Sequence, residues 1–256
     1  MPTSYAETFA EAVKTHQQKK VGVVTTARLT HATPAAVYTH IEDRNVESGR
    51  AAASGSGRAV ASNADDDKQG TPAWELTHSA ADTTTASCAA SKDIATQLVD
   101  ALLDTHVVDI ALGGGRQNFL PVGVAGADGA GGSRRDGVDL TARVTANGGD
   151  CVGTRAELDA LMADTASWGT RPVLGLFEPS HMDYEYDRRD TDIHATADDP
   201  ALWELTKAAI DYLEKASGDE GYYLMIEGGR VDHSHHDVST QAFILGSINQ
   251  APECLA

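Results

Sequence analysis

Basic residues are scarce in this chain. Lysine and arginine number 20 against 38 aspartates and glutamates, a formal net charge of −18 over 256 residues. A surface so poor in cations is a bad match for a phosphate backbone, which argues against nucleic acid as a partner. The same like charge keeps a protein soluble and suits a saline medium, where screening relieves the self-repulsion. Long apolar runs are missing too, and nothing approaches the ~20 residues of a membrane span. Met1 to Lys20 is polar, without the apolar h-region of a secretory signal, although a mature secreted chain has the same look. Cysteine is rare. Cys88, Cys151 and Cys254 lie far apart and form no CxxC pair. One disulfide and one free thiol are open to them in any pairing, and thiolate metal ligation is not expected.

What is present is an alternation of strands and helices. Lys20 to Thr26, Val107 to Leu112, Pro172 to Phe177 and Tyr222 to Ile226 read as short buried strands. Residues 6 to 19, Ala35 to Arg44, Lys92 to Leu103, Arg155 to Ala163 and a long amphipathic stretch after Asp199-Pro200 read as helices. This order predicts an α/β fold with a mostly parallel sheet. Residues 1–256 form one domain, with loop-rich insertions near 45–91 and 121–138 that are poor in large apolar side chains. Gly113-Gly-Gly-Arg116 follows a strand but lacks the Lys-Ser/Thr of a P-loop, so it reads as a structural turn.

One stretch carries chemistry. Glu227 ends the last strand, Gly228 and Gly229 allow a tight turn, and Asp232, His233, His235 and His236 follow. In α/β proteins sites gather at the C-terminal ends of strands. If a helix begins near Val231, Asp232 and His236 share one face at i and i+4. Carboxylate with imidazole suits zinc, and magnesium where oxygens dominate. His31 and Thr33 lie between a strand end and a helix start, a favoured place for ligand loops. Thr33 also reads as a helix N-cap, with Pro34 at the first helical position.

Four stretches, in order, resemble alkaline phosphatases. They are Thr25-Thr-Ala-Arg-Leu-Thr-His-Ala-Thr-Pro-Ala-Ala36, Asp109-Ile-Ala-Leu-Gly-Gly-Gly-Arg116, Gly175-Leu-Phe-Glu-Pro-Ser-His-Met182 and Ile226-Glu-Gly-Gly-Arg-Val-Asp-His-Ser-His-His236. The resemblance implies a three-layer sandwich with a mostly parallel central sheet, incomplete at both ends. It also implies hydrolysis of phosphate monoesters through a phosphoseryl intermediate, with two zinc ions and one magnesium. Carried over position by position, Thr33 and Glu227 stand at magnesium ligands and Asp232 and His236 at ligands of the first zinc. Arg44 stands at the arginine that forks on the phosphate, a role suited to its planar guanidinium. His31 falls where members carry aspartate or histidine near the magnesium, and His233 where a residue steers the phosphate through water. Glu178 and Asp199, with the Phe177 carbonyl, match a calcium site of animal-type members. A homodimer and a periplasmic or extracellular location follow from the same resemblance.

The pattern breaks at both flanks. The family's nucleophile sits in an Asp-Ser-Ala type segment ahead of the Thr-Thr-Ala-Arg stretch, yet only 24 residues, without Asp-Ser, precede Thr25. After Asp237 the expected Asp-His pair and last zinc histidine do not follow, and the tail reads as unrelated. The expectation is the middle of such an enzyme, with part of its metal ligands, no nucleophilic serine and little activity of its own. A non-catalytic remnant that binds metal or phosphate is one alternative. Another is a distinct zinc hydrolase using Asp232, His235 and His236 with a metal-bound water.

Overall fold

The computed structural model describes residues 6–41, 43–49, 92–126, 129–166, 168–189 and 199–236. Most of the expected 45–91 insertion, together with Cys88 and Cys254, lies outside the described residues. The sheet is built on β1 (Lys20–Arg28), which pairs with β2 (Ile110–Gly114) on one side. Beyond β2 come β4 (Val173–Leu176) and β3 (Asp150–Val152), and β5 (Tyr222–Glu227) lies against the other side of β1. All pairings are parallel, in the order β3-β4-β2-β1-β5.

The strands read as near-continuous apolar runs because both sheet faces are covered. Val21, Val23, Ala111 and Leu174 point to one helical layer. That layer holds α1 (Phe9–Gln17), α2 (Ala32–Tyr38), α3 (Ile94–Leu103) and α4 (Leu140–Ala146). Val24, Ile110, Leu112 and Val173 point the other way, to α5 (Arg155–Ala163) and α7 (Leu202–Ser217). Two short helices, α6 (Glu185–Arg189) and α8 (Gly229–His236), follow β4 and β5 in the chain. The architecture is the three-layer sandwich with a parallel sheet that the sequence implies. At Gly22 a Cβ would run into Leu213 and Leu224, so only glycine lets α7 close on β1. Tyr222 to Ile226 is not the buried strand its apolar run predicts: among the described residues β5 is an edge strand with no fully buried residue, and its Ile226 is 47% exposed.

Local signals set most helix ends. Thr8 and Glu11 form a capping box on α1, Thr154 and Glu157 another on α5, and the Asp93 side chain caps α3. α2 departs from expectation. It starts at Ala32 with His31 at the N-cap, so Thr33 lies inside the helix rather than capping it. It also stops at Tyr38, which leaves Arg44 beyond the helix. The buried Tyr38 hydroxyl donates to the Leu29 carbonyl at 2.7 Å and pins the helix end, and Thr39 turns extended. The elements α4, β3 and α6 are too short to show a period.

The glycine-rich stretch 121–138 is not all surface. Arg134 is 1% exposed. Its guanidinium donates to both Asp93 oxygens at 3.0 and 3.2 Å, to the Asn118 carbonyl at 3.2 Å and to Asp136. Burial pulls its pKa down, but Asp93 and Asp136 outweigh that and raise it. Arg134→Met leaves Asp93 buried without its partner and is expected to cost about 3–5 kcal/mol in urea unfolding. The same change at the exposed neighbour Arg135 is expected to stay within about 0.5 kcal/mol.

Candidate active site

Parallel register brings Thr25 opposite Glu227 at the strand ends. The Thr25 hydroxyl donates to Glu227 Oε2 at 2.6 Å and accepts the Ala27 N–H at 2.9 Å. Glu227 therefore stands where the sequence places it, but its bonded partner is Thr25. Thr33 is exposed on α2 and makes no hydrogen bond to Glu227. From Glu227 the chain turns directly into α8, where the Arg230 N–H donates to the Thr26 hydroxyl at 3.3 Å. Asp232 and His236 sit one turn apart as expected, with Oδ2 and Nε2 3.5 Å apart and side chains 72% and 76% exposed. His235 turns back along the helix, its Nδ1 2.5 Å from the Val231 carbonyl. The ligand atoms of Asp232, His235 and His236 do not converge on one point, which removes the geometric support for the three-ligand zinc hydrolase.

Three histidines from three elements do converge. His31 enters at the start of α2, His181 from the loop after β4 and His233 from α8, with ligand nitrogens within 4.8 Å of one another. The rings stack edge to face, with centroids 5.3 Å apart for His31–His181, 5.4 Å for His31–His233 and 4.2 Å for His181–His233. Each ring also meets an arginine. Arg44 Nη2 lies 3.0 Å from His31 Nε2, and Arg230 Nη1 lies 3.1 Å from His233 Nδ1. A guanidinium can only donate, so at His31 and His233 the touched nitrogen accepts and the proton of the neutral ring sits on the other.

His181 is clamped by Arg28. The Arg28 N–H donates to Nδ1 at 3.1 Å, while Arg28 Nη1 sits 2.7 Å from Nε2. Because Nδ1 accepts the backbone N–H, the one proton of the neutral ring sits on Nε2 facing the guanidinium, and a second proton would have to displace the Nδ1 hydrogen bond beside that cation. Burial first, then Arg28, His233 and His31, push the His181 pKa far below its usual range. Burial first, then Arg230 and His31, push His233 down to about 4, against an opposing pull from Asp232. Arg28 in turn forks on Glu47, with Nε and Nη2 both at 2.9 Å from its oxygens. Thr30 and Asn118 complete the carboxylate's hydrogen bonds.

A second cluster lies after β4. Glu178, Asp183 and Asp199 bring carboxylate oxygens within 4.8 Å of one another. Burial first, then Asp199 and Asp183, push the Glu178 pKa up to about 9. The structure thus joins Glu178 to Asp199 and adds Asp183. The Phe177 carbonyl accepts from Arg116 Nη1 at 3.2 Å. The glycine turn before Arg116 is structural, as it reads: the N–H groups of Gly115 and Arg116 both donate to the Glu178 carbonyl at 3.0 Å and seat this loop.

Sequence reading missed Arg28, Glu47, His181, Asp183 and Arg230. Glu47 falls in a segment whose polar composition reads as free of chemistry. Its signal is the opposite charge of Arg28, visible only once β1 and the 43–49 segment are packed together. The low pKa values of His181 and His233 give a pH prediction. Both rings stay neutral in the fold while the unfolded chain binds protons below about 6.5, so the stability these two rings contribute is full above that pH and is lost toward pH 4. Urea midpoints at pH 7.5 and pH 5 check this, and His181→Asn is expected to flatten the difference.

Residues 3–71 and 68–247 match the family model described as alkaline phosphatase. The match passes Asp237, so part of the tail that reads as unrelated falls within it. An alkaline phosphatase of Gadus morhua is 31% identical over 230 residues, which cover 86% of this chain and 38% of that protein. The crystal structure of Thermus thermophilus alkaline phosphatase matches with a TM-score of 0.58 at 26% identity, covering 93% of this chain and 35% of that one. A histidine-to-glutamate mutant of the TAB5 alkaline phosphatase, with magnesium bound, shares the fold at 17% identity and a TM-score of 0.56. It is covered over 50% of its chain, with 99% of this one aligned. The chain thus spans between a third and a half of the length of these proteins. Four ordered motifs, a parallel sheet with its polar clusters at the strand ends, and a family match over nearly the whole length agree: the chain belongs to the alkaline phosphatase family.

Proposed function

We propose that this chain forms the phosphate-binding and part of the metal-binding site of a metal-dependent phosphate monoesterase. The observation that carries the reading is the meeting of Arg44, His31 and His233 at the C-terminal ends of β1 and β5. In this reading Arg44 forks on the phosphoryl group and His233 steers it through water. Asp232 and His236, an exposed oxygen–nitrogen pair on consecutive turns of α8, are a donor set that fits zinc. Glu227 offers an oxygen to magnesium, with Thr33 and His31 nearer the start of α2. Glu178 and Asp199, joined by Asp183, fit a hard cation such as calcium, because a cation offsets the burial and the mutual repulsion that together keep Glu178 protonated. When bound, such metals polarise phosphoryl oxygens and take up their developing charge. The chain's own residues bind and orient the phosphate and exclude competing charge. We assign no nucleophile among the described residues.

Phosphate monoesters are the substrates in this reading, with a homodimer and a periplasmic or extracellular setting. No helix among the described residues is long and apolar enough to cross a membrane.

Two experiments test the reading. Calorimetry with inorganic phosphate is expected to show Arg44→Ala weakening binding by about tenfold or more, as the loss of a charge-assisted fork requires. Unchanged affinity would remove Arg44 from the site. Calcium is expected to raise the melting temperature more at pH 8 than at pH 6, because at the lower pH it must displace the Glu178 proton. In chelator the sign is opposite. The folded state keeps a proton on Glu178 that the unfolded chain releases, so the stability Glu178 contributes falls as pH rises from about 4.5 toward 9, and it is read as the difference from Glu178→Gln at each pH. Glu178→Gln is expected to abolish both trends.

A further inference from the structure

Among the described residues Arg230 is a cation without a paired carboxylate. Its guanidinium stacks 3.8 Å over the Tyr184 ring, its Nη1 meets His233 Nδ1 at 3.1 Å, and its Nε is buried without a hydrogen-bond partner. Among the described residues no carboxylate pairs with it. Arg28, the other arginine on the histidine cluster near His181, is already forked by Glu47. Arg44 and Arg230 are therefore the two cations that remain for a ligand.

They stand on different rings. Arg44 touches His31 and Arg230 touches His233, and those ring centroids lie 5.4 Å apart. One planar fork already matches one face of a phosphate tetrahedron. A second fork, held on its own aromatic shelf against a neighbouring ring, fits a second anionic group. Stacking occupies the face of the Arg230 guanidinium, and with Nε buried and Nη1 on His233 it leaves Nη2 and the second Nη1 hydrogen for oxygen acceptors. The bond from Arg230 to His233 Nδ1 also fixes the neutral tautomer of that ring, so His233 Nε2–H adds a donor.

We propose that Arg230, shelved on Tyr184 and bonded to His233, is a second oxyanion subsite beside Arg44, taking a second phosphate carried by the substrate's leaving group. The inference rests on Arg44 and His233 being the phosphate-binding pair. It goes further by naming a substrate class: monoesters whose alcohol portion is itself phosphorylated. Arg230 in this role selects substrate and takes no part in bond breaking.

The test is calorimetry on the full chain in metal-free buffer with a matched pair of non-hydrolysable probes, methylphosphonate and methylenebisphosphonate. The bisphosphonate is expected to bind about tenfold tighter. Arg230→Gln, whose amide NH2 can still donate to His233 Nδ1, is expected to level the two affinities while changing methylphosphonate binding by no more than about twofold, and Arg44→Ala to weaken both. Tyr184→Leu, which removes the shelf and keeps the charge, is expected to reduce the preference and decides the matter if Arg230→Gln does not fold. Equal binding of the two probes by the unaltered chain, with Arg44 still required, would overturn the second subsite and leave the phosphate reading standing. Binding of neither probe would overturn both.

Discussion

The buried fork between Arg28 and Glu47 is the interaction on which the site depends. Arg28 ends β1, which lies between β2 and β5, and the pair is almost wholly removed from water. Two charges in that position are stable only when geometry is good and the remaining lone pairs are used. Both conditions hold. Glu47 takes the fork and also accepts from Thr30 and Asn118, while the spare Arg28 nitrogen reaches Ser180 and His181. One ion pair thereby ties the end of β1 to the 43–49 segment, the turn after β2 and the loop after β4. Without it His181 keeps only the backbone N–H of Arg28 at Nδ1 and loses the guanidinium that holds its other side.

The fork also sorts charge. A chain with net charge −18 gathers three arginines around three histidines at the strand ends. That local field favours oxyanions. The carboxylates Glu178, Asp183 and Asp199 form a separate group that favours a cation, and Asp232 with His236 face solvent one turn beyond His233. Parallel strands place these groups together, because every strand delivers its C-terminal loop to the same edge of the sheet. The division explains how one acidic protein presents a binding surface for a still more acidic ligand.

Much of the fold was legible because it rests on local chemistry. Strands buried on both faces announce themselves as apolar runs, and the Thr8, Thr154 and Asp93 caps fix helix starts. α2 misled for a local reason. Thr33-Pro34 is a good start signal, but tertiary packing of Tyr38 against Leu29 moved the helix earlier and ended it sooner. The Glu227 to His236 stretch was legible as a metal-capable cluster because its ligands are close in sequence. The residues that were missed are partners across long separations. Glu47 finds Arg28, Asp183 finds Glu178 and Asp199, and Arg230 matters only because His233 and Tyr184 lie beside it. No period or spacing in the sequence encodes such meetings.

The most direct test of the arginine-clamped histidine cluster is long-range proton–nitrogen NMR of the imidazole rings. At pH 6 the arrangement predicts neutral rings at His181 and His233, with the His233 proton on Nε2 because Arg230 donates to Nδ1. Arg28→Met should move the His181 titration upward toward the ordinary histidine value of about 6.5 but leave it below, because burial, the larger cause, remains. A His181 or His233 ring that already titrates there in the unaltered chain, or a His233 proton on Nδ1, would contradict the arrangement.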